Sequence, residues 1–282
     1  VRRFAPRTVR VAIPMSNPAS RVALRIAYDG RRYPGWQTQP GGIAIQDRIE
    51  RALGEVAERP VRTVCAGRTD AGVHATAQIV HFDCDVQRPL SAWVRGTNAH
   101  LPDDLAVRQA WMVPGDFDAR YSARGRRYHY LLYRAPQRHP LWAGRAGWVY
   151  RPLDVAAMRV AAAALIGRHD FSAFRSSQCQ SRTPVRELRR LEIAEGPGGL
   201  LVLVFEANAF LHHMVRNLVG ALVWIGLGRR ASVWAAELLA GGHREQGAAT
   251  FAADGLYLTG VQYDDPGAPD GGWPQIDLPG LC

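Results

Sequence analysis

Cys65-Ala66-Gly67-Arg68-Thr69-Asp70-Ala71-Gly72-Val73-His74-Ala75 is a run of small residues around one arginine and one carboxylate, and it divides two stretches that read as strands. Arg68 and Asp70 stand two residues apart, so in an extended backbone both side chains project from one face and can pair. Taken alone, Thr-Asp-Ala-Gly reads more readily as a surface turn, because Asp and Gly are standard turn residues. Before the run, Val61 to Cys65 reads as a short strand; after it, Gln78 to Phe82 reads as another. Further out, Arg21 to Tyr28 alternates apolar residues as far as Asp29-Gly30, and Ile45, Ile49, Leu53 and Val56 fall on one helical face. Ser91 stands as the cap of a short helix, and Ala106 to Val113 returns as strand. The first half therefore reads βαββαβ.

The second half repeats that order. Arg127 to Arg134 is a strand, and Asp154 caps an Ala-rich helix that ends at Gly167. Leu188 to Ala194 and Leu200 to Phe205 are strands joined by Gly196-Pro197-Gly198-Gly199. Leu211 to Ile225 is a strongly apolar helix, Ser232 to Ala240 a shorter one, and Leu256 to Tyr263 a closing strand. Twice-repeated βαββαβ is the ferredoxin-like order. The expected fold is α+β, with two ferredoxin-like halves, joined antiparallel sheets and a central basic cleft at the junction, where ligands are commonly held. The expected domains are a basic arm over 1–20, an N-terminal α+β domain over 21–115 carrying the Asp loop, a C-terminal α+β domain over 116–263, and an acidic Pro/Gly-rich tail over 264–282.

Composition narrows the chemistry. The formal charge is +10, and all 35 basic residues are arginine, with no lysine anywhere. A P-loop lysine, a Schiff-base lysine and a lysine general base are thereby excluded. The arms cancel in charge, four arginines in 1–20 against four aspartates in 264–282, so the body carries the excess. Such a body suits a polyanion, and guanidinium suits bidentate phosphate contact. The four cysteines are scattered without a Cys-x-x-Cys pair, and no apolar run reaches membrane-spanning or signal-peptide length. The expectation is a soluble protein of the reducing cytoplasm.

Three further segments carry polar chemistry. Phe117 to Tyr130 interleaves arginines with aromatics, the mixture that neutralises phosphates and stacks bases, although the same alternation describes a solvated strand face. Ser176 to Pro184 is polar and short-chained, as a loop bonding a sugar-phosphate backbone would be, or as any surface loop. His212-His213-Met214-Val215-Arg216 opens the apolar helix; neighbours there point about 100 degrees apart, which places the two histidines poorly as a metal pair. Arg216, beside so apolar a helix, calls for a carboxylate partner. Zinc-protease, dinucleotide-binding and nucleophile-elbow motifs are all missing from the sequence.

Ala66 to His74, Thr97-Asn98-Ala99-His100-Leu101-Pro102, Phe117 to Tyr128, Gln178 to Pro184, Asn208 to Asn217 and Gly255-Leu256-Tyr257-Leu258 together resemble the TruA family of tRNA pseudouridine synthases, in the right order from about residue 21 to 263. The resemblance implies isomerisation of uridine to pseudouridine in the anticodon arm of tRNA, at positions 38, 39 and 40. It implies a homodimer in which one tRNA contacts both subunits, and neither cofactor nor metal. It makes Asp70 the nucleophile at C1' or the base for the 2' proton, and Arg216 the cation that keeps it ionised. Tyr128 would stack on the uracil or remove its C5 proton, with Arg68 and Leu258 also at the substrate. The expected tRNA contacts are Arg68, Phe117, Asp118, Ala119, Arg120, Tyr121, Arg124, Arg126, Arg127, Gln178, Cys179, Gln180, Ser181 and Arg182.

Overall fold

Alternation of apolar residues forms β1 (Ser20–Tyr28), and a 3.6-residue period forms α1 (Ile45–Ala57), whose Ile45, Ile49 and Leu53 are fully buried. These are elements of a computed structural model that describes residues 20–264 and Pro269. The expected arms therefore fall outside the described residues, except for Ser20, Asp264 and Pro269. The first half continues with β2 (Val64–Cys65), β3 (His74–Cys84), α2 (Leu90–Ala99) and β4 (Leu105–Val113). The second half comprises β5 (Ala123–Arg134), β6 (Gly147–Val149), α3 (Val155–Ala163), β7 (Gly167–Asp170), β8 (Val185–Glu195), β9 (Leu200–Ala207), α4 (Met214–Gly226), α5 (Trp234–Gly241) and β10 (Leu256–Tyr263).

All ten strands join one sheet in the order β4-β1-β3-β10-β5-β9-β8-β7, with β2 beside β3 and β6 beside β5. Each half thus shows the ferredoxin-like order in space, fourth strand beside first, then third, then second. The antiparallel expectation needs one correction: the halves meet through a parallel pairing, Tyr257 opposite His74 and Leu258 opposite Ala75. His74 locks this seam. Its ring stacks on Tyr257 at 4.5 Å, Nδ1 accepts the Gly30 N–H at 3.2 Å, and Nε2 lies 3.0 Å from the Gly144 carbonyl and 3.2 Å from that of Asp254.

Several element boundaries differ from the sequence reading for local reasons. Ser91 is not a cap, because Pro89 already occupies that position and the Ala92 N–H bonds its carbonyl at 2.8 Å. Asp154 does cap α3, accepting the Ala157 N–H at 2.9 Å, but that helix stops at Ala163. Gly167, with φ 118, belongs to β7 and pairs with Leu188. Short β6 and β7 carry little apolar alternation, so only their sheet partners reveal them. The apolar helix starts at Met214, which leaves both histidines ahead of it in a turn.

Candidate active site

The Asp loop is held open from three sides by backbone contacts. Ala66 N bonds the Ile79 carbonyl at 2.8 Å, Gln78 donates to the Gly67 carbonyl at 2.6 Å, and Arg126 donates to the Ala66 carbonyl at 2.8 Å. Thr69 Oγ1 meets the Tyr28 hydroxyl at 2.9 Å, and the Trp36 N–H bonds the Thr69 carbonyl at 3.0 Å. Gly35 forms an isolated antiparallel bridge to Asp70 at φ 111; a Cβ there would stand 2.7 Å from the Thr69 carbonyl oxygen. Gly35 on one side and Gly72, at φ 79, two residues past Asp70 thus fix the carboxylate in a turn of the first half.

The second half supplies the partners. Arg216, in the first turn of α4, brings Nη1 to 3.4 Å from Asp70 Oδ2 and donates Nε to the Phe251 carbonyl at 2.8 Å. His212 Nε2 stands 3.3 Å from Asp70 Oδ1, and His213 Nε2 stands 3.5 Å from Oδ2. The expected divergence of the histidines is therefore corrected: outside the helix their rings lie side by side, centroids 4.0 Å apart. His213 makes this possible by taking φ 63 at the helix cap, a left-handed conformation unusual for a side-chain-bearing residue. Burial pushes the His213 imidazole below its ordinary range, Asp70 pulls the other way, and the charges of His212 and Arg216 add to the lowering. Nearby, Tyr128 packs edge-on against Phe210 at 5.1 Å and is almost fully buried. Burial first, and then the Asp70 charge, raise its phenol, which holds the hydroxyl protonated.

Other residues from the sequence reading separate into three kinds. Arg68 does not pair with Asp70 as expected; it is exposed and, among the described residues, has no ion-pair or hydrogen-bond partner, and the same holds for Arg182. Arg120, Tyr121, Arg124, Gln178 and Gln180 are also exposed; the Arg120 guanidinium lies 5.4 Å from the Tyr121 ring, and Arg124 meets Asp264 at 2.8 Å. Cys179 and Ser181 are half-buried, their carbonyls taken by Arg175 at 2.7 and 2.8 Å.

Burial corrects the remaining readings. Arg126 spends its guanidinium on the carbonyls of Ala66, Arg120, Ala123 and Asn208, and Arg127 pairs with buried Glu206 at 2.7 Å, so both charges are engaged inside the protein instead of facing outward as the reading expected. Phe117 and Ala119 are core residues, and the Asp118 carboxylate accepts the N–H groups of Arg120 and Tyr121, each at 2.8 Å. Leu258 is fully buried directly across the strand pair from Tyr128. The sequence reading missed the histidine pair and Phe210; the signal was present in the segment Asn208 to Asn217, but only the turn ahead of α4 gives it meaning.

The arrangement offers a carboxylate, an adjacent guanidinium, a buried aromatic and an arginine-rich surround. That set fits carboxylate attack on a sugar carbon beside a stacked base. A family model described as tRNA pseudouridine synthase matches residues 25–122 and 161–264. Among relatives, tRNA pseudouridine synthase A of Methylibium petroleiphilum is 58% identical over 244 residues, covering 86% of this chain and 94% of that protein. That of Dechloromonas aromatica is 55% identical over 251 residues, covering 89% and 95%. Among solved structures, the archaeal box H/ACA sRNP Nop10-Cbf5 complex superposes with a TM-score of 0.38 at 12% identity, covering 83% of this chain and 46% of that one. A model match over most of the sequence, and relatives aligned at this identity across nearly their whole length, lead to one conclusion: the chain belongs to the TruA family of tRNA pseudouridine synthases.

Proposed function

We propose that this protein isomerises uridine to pseudouridine at positions 38, 39 and 40 in the anticodon arm of tRNA, with Asp70 as the catalytic carboxylate. The observation that carries the reading is the Asp70–Arg216 contact at 3.4 Å across the seam of the two halves. In the reaction the C1'–N1 bond breaks, the uracil turns, C5 bonds to C1', the C5 proton leaves and N1 gains one. Asp70 either bonds C1' or takes the 2' proton; Arg216 offsets the cost of holding its charge in a partly buried site. Tyr128 stacks on the extruded uracil, with Leu258 behind it setting the ring. Extrusion of the base costs a few kcal/mol, which stacking and phosphate contacts offset.

Arg68, Arg120, Arg124 and Arg182, with Tyr121, Gln178 and Gln180, are the exposed groups suited to phosphate, sugar or base faces. The halves 21–115 and 116–263 would grip the RNA as domains, and the reading includes a homodimer acting on cytoplasmic tRNA. No helix among the described residues is long and apolar enough to cross a membrane. The test is proton release from tRNA tritiated at uridine C5. Wild-type protein releases tritium, and Asp70→Asn lowers the rate at least about 1,000-fold while tRNA binding persists. Release that survives the substitution refutes the role of Asp70; no release by the wild type, with binding intact, points to an RNA-binding module instead.

A further inference from the structure

We propose that Asp70, His212 and His213 form a binding site for one divalent transition-metal ion such as Zn2+, and that the ion inhibits the enzyme by occupying the carboxylate. The inhibitory part rests on the role of Asp70 argued above; the binding part does not. Oδ1 lies 3.3 Å from His212 Nε2 and Oδ2 lies 3.5 Å from His213 Nε2, and the three ligand groups fall within 4.8 Å of one another. Zinc bonds nitrogen and oxygen at about 2.0 to 2.2 Å, so two such ligands in a tetrahedron stand about 3.4 Å apart. Each imidazole stands close to that edge length from one oxygen of the carboxylate, and with one ligand atom from each residue the three lie within 4.8 Å of one another.

The ligands are also fixed before any ion arrives. His213 is held at φ 63, with its carbonyl accepting the Asn217 N–H at 2.9 Å, and the His212 carbonyl accepts the Ser176 N–H at 3.0 Å. Asp70 is held by the Gly35 bridge. Each ligand is half-buried, which excludes some water and leaves a fourth position open. Two imidazoles and one carboxylate favour zinc, copper or nickel; magnesium and calcium need a fuller set of oxygens. Arg216, 3.4 Å from Oδ2, opposes the ion by its charge, so occupancy is reversible and responds to free metal. A site built this way, on the reacting carboxylate with one position open, blocks ribose without displacing the fold.

Zn2+ competition against a chromophoric chelator, on the full free chain, is expected to reveal one bound equivalent. Co2+ in its place is expected to give the visible spectrum of a tetrahedral nitrogen/oxygen site with no thiolate charge-transfer band. His212→Gln combined with His213→Asn weakens Zn2+ binding at least about 100-fold, more than loss of an outer hydrogen bond would. Asn tolerates the left-handed cap, and an unchanged circular dichroism spectrum checks the fold. Cys179→Ser leaves binding unaltered. Wild-type isomerisation falls as Zn2+ fills the site, recovers with EDTA, and is unaffected by Mg2+ at the same concentration. Binding that survives the double substitution, a thiolate band, or absence of binding at millimolar Zn2+ overturns the site. Binding that leaves the isomerisation rate unchanged overturns the inhibition. Binding is read without turnover, so it can fail while the isomerase reading stands, and the reverse.

Discussion

Arg216 and Tyr128 divide the electrostatic work around Asp70 between a held charge and a held proton. Arg216 cannot swing away, because its Nε is tied to the Phe251 carbonyl and its own carbonyl accepts the Phe251 N–H at 3.3 Å. Arg216→Gln removes the only guanidinium shown in contact with Asp70 among the described residues. The expected result is a fall in kcat of about 100-fold with little change in KM, read by steady-state kinetics on tRNA, since the lost charge acts mainly where charge develops. Tyr128 presents the opposite case. Its phenol is raised by burial and by Asp70, so the ionised fraction is small at neutral pH and grows as pH rises. If the phenolate takes the C5 proton, the single-turnover rate climbs with pH across the neutral range. Tyr128→Phe, which keeps the ring, is expected to bind tRNA normally, abolish that climb and slow product formation at least about 100-fold.

At the scale of elements, the loop between β2 and β3 depends on a neighbouring turn that carries no chemistry of its own. Gly35 approaches Thr69 and Asp70 so closely that a methyl group cannot enter, and its φ of 111 is costly for any other residue. Gly35→Ala is therefore expected to cost about 2 kcal/mol of stability and to lower activity further than stability alone explains, because the displaced atoms carry Asp70. Thermal melting and kinetics on the same sample separate the two effects. The turn ahead of α4 is the counterpart from the second half. There the helix period misled the reading of the histidines: a 3.6-residue pattern applies only from Met214, and in the left-handed turn ahead of it both rings reach Asp70.

For the molecule as a whole, buried histidines couple stability to pH. His129 is buried in β5 with Nδ1 2.7 Å from Thr259 Oγ1, and burial, helped by the charges of Arg127 and Arg190, pushes its imidazole down to about 4. His74 and His81 are lowered as well, chiefly by burial. A depressed histidine in the folded state means that the unfolded chain binds more protons below about pH 6.5. Stability is then fully present above that pH and drains away as pH falls toward about 4, with His129 alone contributing about 3 kcal/mol at most. Urea unfolding at a series of pH values is expected to show this decline, and His129→Leu is expected to flatten it.

The periodicities of β1, α1, β8, β9 and β10 are local, so the repeated βαββαβ order was legible in the chain, as was the isolation of Asp70 among residues too small to fill a core. The sequence by itself thus determined the two half-folds, the arginine-only basic body and the motif that holds the carboxylate proposed for catalysis. It did not determine the parallel seam, because two residue pairs of β3 and β10 leave no periodic trace. Nor did it separate Arg68, exposed and unpaired among the described residues, from Arg126, buried and tied to four carbonyls, since both are arginines in polar surroundings along the chain. Tertiary structure alone decided which charges face solvent and brought Arg216 and two histidines to Asp70 from a segment some 140 residues away. The physical reason is that side-chain direction near a turn depends on a few backbone angles and on what the opposite half of the sheet packs against them, and neither is written in the spacing of residues.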